Sequence, residues 1–117
     1  MARPFKCRCI CSKPETTCFV PENADGTGRV VIGYDEYEVI RLLDYVALTQ
    51  EQCAEKMNVS RPTVTRMYDS ARRKMADALV NGKKICIEGG DVAVCTAMKP
   101  QCAHEKYCCL RNKDKQV

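Results

Sequence analysis

Apolar positions between residues 37 and 47 recur at helical spacing: Tyr37, Ile40, Leu43 and Ala47, with Val39 and Val46 beside them. Asp35 stands where an N-cap is needed. Glu38, three residues on, answers it as a capping box, so a helix is expected to open there. Leu48 and Thr49 break the pattern. Thr49 with Gln52 forms a second capping-box pair, opening a helix of about two turns through Met57. Asn58 takes the reversal, because Asn tolerates the left-handed conformation better than most residues. Ser60 caps a third helix with Pro62 in its first turn, where a missing N–H costs little. Val64, Met67, Ala71, Met75 and Ala78 then step by threes and fours, and Asn81-Gly82 stops the helix after about Val80.

The flanks follow other rules. Pro4, Pro14, Pro21, Gly26 and Gly28 punctuate residues 1–28, which read as irregular, with "PENADGTG" a loop. Val30-Val31-Ile32 suits a short strand. "KKICIEGGDVAV" reads as a hairpin, Ile85-Cys86-Ile87 returning as Val92-Ala93-Val94 through a Glu-Gly-Gly-Asp turn. The expected fold is mainly α: a three-helix helix-turn-helix domain, a short β-hairpin after the recognition helix, and Cys-rich irregular termini. Its parts are a Cys-rich arm over 1–28, the DNA-binding domain over 29–94 and a Cys-rich tail over 95–117.

The two central helices carry the candidate site. A helix-turn-helix needs a small residue inside the first helix, an apolar plug in the turn and an inward apolar stripe on the second. Ala54, flanked by Cys53 and Met57, is the small contact; Val59 is the plug; Val64, Met67 and Ala71 begin the stripe. Left outward at the start of the second helix are Arg61, Pro62, Thr63, Thr65 and Arg66. Arg makes bidentate contacts to guanine, and Thr offers a hydroxyl and a methyl. Ser60 with the helix N-terminus suits a phosphate, and Arg72 and Arg73, farther along, suit the DNA backbone. The plain alternative is a helical core with solvated polar faces.

Charge sharpens this picture more than composition does. The 117 residues carry a net charge of only +4. Residues 35–57, however, hold six acids against two bases, and residues 60–84 hold seven bases against two acids. Such a polarised domain would turn its basic side toward a polyanion. One His, no Gly-rich phosphate loop after a strand and no carboxylate pair in an apolar setting give an enzyme little support. No apolar run reaches membrane-spanning length, and "MARPFKCRC" lacks the apolar stretch of a signal peptide, so a cytoplasmic location is expected.

Ten cysteines then require an account. Cys53 lies on the inner side of a helix and Cys86 alternates within a strand, so both read as small buried hydrophobes. The other eight form two groups of four, Cys7, Cys9, Cys11 and Cys18, and Cys95, Cys102, Cys108 and Cys109. Four thiolates hold a tetrahedral zinc or an iron–sulfur cluster. The spacings C-x-C-x-C-x6-C and C-x6-C-x5-C-C are not those of a zinc ribbon. Metal ligands, redox-sensing thiols and disulfides therefore all stay open, as does a single site joining the two termini.

Several stretches also resemble a known family. "MARP" at the start, "PETTCFVP" at 14–21, "DEYEVIRLLD" at 35–44, "QEQCAEKMNVSRPTVTRMYDSARRKMADAL" at 50–79, "GKK" at 82–84 and "IEGG" at 87–90 are similar, in that order, to small prokaryotic proteins described as predicted DNA-binding proteins. The centre resembles region four of sigma factors. The resemblance implies a DNA-binding domain with a transcriptional role. Three departures stand out: Asn58 where a turn glycine is common, Pro62 where a polar residue is common, and Cys7, Cys9 and Cys11 in a segment more often basic.

The leading expectation is a sequence-specific regulator that binds double-stranded DNA as a homodimer, modulated by metal or redox state through its cysteines. A second keeps the fold and changes the partner, docking the acidic face around Glu36, Glu38 and Asp44 on RNA polymerase or another protein. A third makes the chain a metal or redox module with a helical scaffold.

Overall fold

A computed structural model describes residues 8–23, 28–90 and 92–94. Among the described residues three strands precede three helices and two strands follow them: β1 (Arg8–Ile10), β2 (Cys18–Phe19), β3 (Arg29–Ile32), α1 (Tyr34–Ile40), α2 (Gln50–Met57), α3 (Arg61–Asn81), β4 (Lys84–Ile87) and β5 (Val92–Val94). The expectation of a mainly α fold is therefore corrected to a mixed α/β one.

The strands pair by proximity in space, not in sequence. β4 is the centre of a three-stranded sheet ordered β2-β4-β3, antiparallel to β2 and parallel to β3. β5 pairs in parallel with β1 in a second small sheet. The expected hairpin of residues 85–87 and 92–94 does not form, because each strand has a partner from the N-terminal part of the chain. Where it is described, that part carries two short strands, Arg8–Ile10 and Cys18–Phe19, and is irregular between and after them. Gly89 and Gly90, at φ +79° and +95°, carry the chain out of β4 and past α1. There the Gly89 carbonyl accepts the Tyr34 N–H at 2.9 Å.

Two helix starts match their sequence signals. Thr49 caps α2, its Oγ1 accepting the Gln52 N–H at 3.1 Å while Gln52 Oε1 accepts the Thr49 N–H at 3.0 Å. Ser60 caps α3, and Gly82 ends it at φ +64°. Asn58, at φ +60°, closes α2 in the left-handed conformation.

The first helix differs from its signal. It opens at Tyr34 with Gly33 as cap, because Glu36 reaches back and accepts the Gly33 N–H at 2.9 Å. Asp35 and Glu38 thus lie inside the helix rather than forming a box. α1 widens into a π-helical turn over Arg41–Tyr45, and Ala47, at φ +69°, ends it in a left-handed residue. Consequently Val39 and Leu42 lie in the core with Leu43 and Val46 packed against it, while Tyr37 is half-buried and Ala47 is exposed.

The core gathers Val39 and Leu42, Cys53, Ala54 and Met57 of α2, Val64 and Met67 of α3, and Ile10 of β1. Ala71 and Ala78 extend it along α3, while Met75 is only half-buried. On the sheet, Phe19, Ile32, Ile85 and Ile87 face Ile40 and Met75 across an apolar cleft.

One buried ion pair fastens the N-terminal segment to α1. Glu38 is fully buried, accepts from Arg41 at 2.8 and 3.1 Å, and also accepts the Cys11 N–H at 2.8 Å. Truncating one member of such a pair strands the rest without solvent. Glu38→Ala is expected to lose about 3–5 kcal/mol of unfolding free energy in urea. Glu88 pairs with Arg29 at 3.7 Å, both more than half exposed, and Glu88→Ala should lose less than about 1 kcal/mol. Equal losses would contradict the assignment.

Candidate functional site

α3 is long, and its burial alternates at helical period. Val64, Met67, Ala71 and Ala78 point inward, leaving Arg61, Pro62, Thr65, Arg66, Asp69, Arg72 and Arg73 exposed. The first turn is tightly organised. Ser60 Oγ accepts the Thr63 N–H at 3.3 Å and lies 2.8 Å from Thr63 Oγ1, which also accepts from Arg66 Nη2 at 3.2 Å. This chain of contacts holds the Arg66 guanidinium beside the helix start. Thr63 is half-buried.

Thr65 stands differently from its expected role. Its Oγ1 donates to Gln50 Oε1 at 2.6 Å and lies 3.3 Å from the Arg61 carbonyl, so the hydroxyl links the starts of α2 and α3. Its methyl and the acceptor side of its hydroxyl oxygen are what remain to offer a partner. Gln50 had no assigned role in the sequence, because a contact between residues 50 and 65 depends on how the two helices cross.

Farther along, the basic residues divide into two kinds. Lys74 Nζ donates to Glu36 Oε1 at 2.9 Å, and Lys83 Nζ to Asp77 Oδ2 at 3.0 Å. Arg72 lies over the Tyr68 ring at 5.1 Å from its centroid, and the Tyr68 hydroxyl is anchored on Asp44 Oδ1 at 2.7 Å. The i,i+4 spacing of Tyr68 and Arg72 is a signal that a helical reading could have found. Arg61, Arg66, Arg72 and Arg73 are not paired with a carboxylate among the described residues.

The acidic run divides, with Asp44, Glu51 and Glu55 exposed and its other three carboxylates internal. Asp35, Glu36 and Glu38 are buried, and only Asp44 of the proposed acidic docking face is exposed. Burial raises the Glu36 pKa, but the Lys74 and Ser70 hydrogen bonds, the Gly33 N–H and the Lys74 charge outweigh it and hold the pKa below the ordinary range.

Cys9, Cys11 and Cys18 do not gather into one metal-ligand group. Cys9 is half-buried, Cys11 buried and Cys18 exposed, and none of the described cysteines is in a disulfide. No group of three or more metal-ligating side chains forms among the described residues. Cys7, Cys95, Cys102, Cys108 and Cys109 lie outside the described residues. Cys53 and Cys86 are buried, as expected. No helix among the described residues is long and apolar enough to cross a membrane.

Residues 1–95 match the family described as protein of unknown function DUF134, and the chain belongs to it. Its relatives include a UPF0251 protein of Desulfitobacterium hafniense, 46% identical over 92% of this chain and 87% of the relative. One from Thermoanaerobacter pseudethanolicus is 50% identical over 80% of this chain and 81% of the relative. Another, from Chlorobaculum tepidum, is 47% identical over 77% and 60%. No solved structure matches the chain.

A lowered carboxyl pKa stabilises the fold above its unfolded value, and that contribution is lost as pH falls through the folded one. Glu36 therefore supports stability fully at neutral pH and loses its contribution below about pH 4.5. Acid titrations of unfolding free energy should show a shallower decline in this window for Glu36→Gln than for the parent chain. An unchanged slope would contradict the Lys74–Glu36 link.

Proposed function

Starting from that family membership, we propose that the chain is a DNA-binding transcriptional regulator. α2 and α3 act as a helix-turn-helix similar to sigma region four, and the start of α3 enters the major groove. The observation that carries this reading is the sorting of the basic residues. Lys74 and Lys83 are engaged within the fold, while Arg61, Arg66, Arg72 and Arg73 stay exposed along α3.

Roles follow from position and from existing contacts. Arg66 and Arg61, at the exposed helix start, read base edges; the Thr65 methyl and Pro62 supply apolar contact to thymine. Arg72 and Arg73, two turns farther, contact phosphates and set register without reading sequence. Ser60 keeps its cap, so the phosphate expected there is held by the helix terminus beside it. One such helix covers few base pairs, so two copies on half-sites about one DNA turn apart complete the reading. The reading that docks acidic residues on RNA polymerase loses two of its three side chains, Glu36 and Glu38, to the interior.

A metal is a second reading with its own support. β1 and β5 run side by side, so the strand inside the N-terminal cysteine group lies along the strand that precedes Cys95. A zinc ion or iron–sulfur cluster bridging the two groups would fasten both ends of the domain. Anaerobically purified protein should then hold about one equivalent of zinc or one cluster per chain. A content below half an equivalent would remove this reading.

The DNA assignment separates two arginines. Arg66→Ala should weaken binding to a selected site by about 1–3 kcal/mol and relax base preference. Arg73→Ala should weaken binding on all sequences alike and reduce the magnitude of the log K against log salt slope by about one unit. Fluorescence-anisotropy titrations across salt measure both. Equal losses from the two variants on random DNA would contradict the roles.

A further inference from the structure

The antiparallel pairing of β2 with β4 sets Cys18 directly opposite Cys86. Opposed residues on neighbouring strands project to the same face of a sheet. At the next position, the Ile87 N–H donates to the Thr17 carbonyl at 2.8 Å, which marks residues 17 and 87 as a hydrogen-bonded pair. Such pairs alternate with non-hydrogen-bonded ones, so Cys18 and Cys86 occupy a non-hydrogen-bonded position, where Cα atoms approach to about 4.5 Å. Disulfides span Cα separations of about 4.4–6.8 Å. The bond is therefore within reach without moving either strand.

The surroundings add a direction to the chemistry. Phe19, Ile85 and Ile87 face the helices, so the two-residue alternation turns Cys18 and Cys86 to the opposite face. Both are thiols; Cys18 is exposed, whereas Cys86 is 8% exposed, with Arg29 Nη1 donating to its Sγ at 3.8 Å. One sulfur is open to a reagent and its partner waits behind it.

We propose that Cys18 and Cys86 form a reversible redox site, oxidised by low-molecular-weight disulfides to a cross-strand bond. The Cys18 thiolate attacks one sulfur of the small disulfide, breaking its S–S bond and releasing one small thiolate, which takes the proton Cys18 gave up. The Cys86 thiolate then attacks Cys18 Sγ, and the second small thiolate leaves with the Cys86 proton. Two protein thiols are oxidised and one small disulfide is reduced to two thiols. The bond joins residues on either side of all three helices and removes Cys18 from any metal-ligand set. This inference rests on strand register and stands apart from the DNA-binding reading.

The test uses the full chain, purified under reductant and equilibrated without metal in excess oxidised glutathione. It is then alkylated and cut with a glutamate-specific protease. That cut isolates Cys18 in residues 16–22 and Cys86 in residues 56–88, each the only cysteine of its peptide. The expected result is a linked 16–22/56–88 species in most chains, reversed by dithiothreitol, with a rise in Tm on the order of 10 °C. In Cys86→Ser, Cys18 should persist as a mixed disulfide with glutathione. The proposal is overturned if Cys86 is recovered alkylated in the parent chain, or if Cys18 is found unoxidised, glutathionylated or linked to another cysteine. Absence of the persistent mixed disulfide in Cys86→Ser would overturn the order of attack.

Discussion

β3 and β4 run parallel, and parallel neighbours can be joined only by a crossover. Here the crossover comprises all three helices. Pairing Val30 with Ile85 and Ile32 with Ile87 closes the helical segment on itself. It fixes both ends: Gly33, where α1 begins, and Gly82, where α3 stops. α3 runs from its exposed start at Arg61 to Gly82, where the chain passes directly into β4. A site made of arginines on one helix needs such an anchor, because long side chains lose specificity if their backbone drifts.

Charge within the domain is spent in two ways, and the distinction supports the functional proposal. Glu36 and Glu38 are drawn inward and satisfied by Lys74, Ser70, Arg41 and backbone N–H groups. These contacts bind α1 to α3 and to the segment after β1. The arginines of α3 are left outside that network. The first acids of the acidic run thus fold into a polar seam, while the arginines of the basic run stay exposed along α3.

What was legible in the sequence was local. The caps at Thr49 and Ser60, the reversal at Asn58, the stop at Gly82 and the stripe through Val64, Met67 and Ala71 depend on residues within a turn or two of each other. Strand partners do not. Cys18-Phe19 is too short to show alternation, and nothing nearby in sequence says that it pairs with residues 85–86, so the N-terminal arm read as irregular and the hairpin read as self-paired. The start of α1 was misplaced because Glu38, three residues after Asp35, fits capping-box spacing, whereas in the fold Glu36 reaches back to the Gly33 N–H. Within the site, exposure of the arginines followed from periodicity. The Thr65–Gln50 contact and the Cys18–Cys86 register needed the folded chain.

The most direct test of the DNA-binding account is selection of binders from a randomised duplex pool, using the full chain kept anaerobic and untreated with chelator. The account predicts enrichment of one motif arranged as two related half-sites about one helical turn apart. Recovery of no motif, with binding that fades as salt rises on every sequence alike, would contradict it.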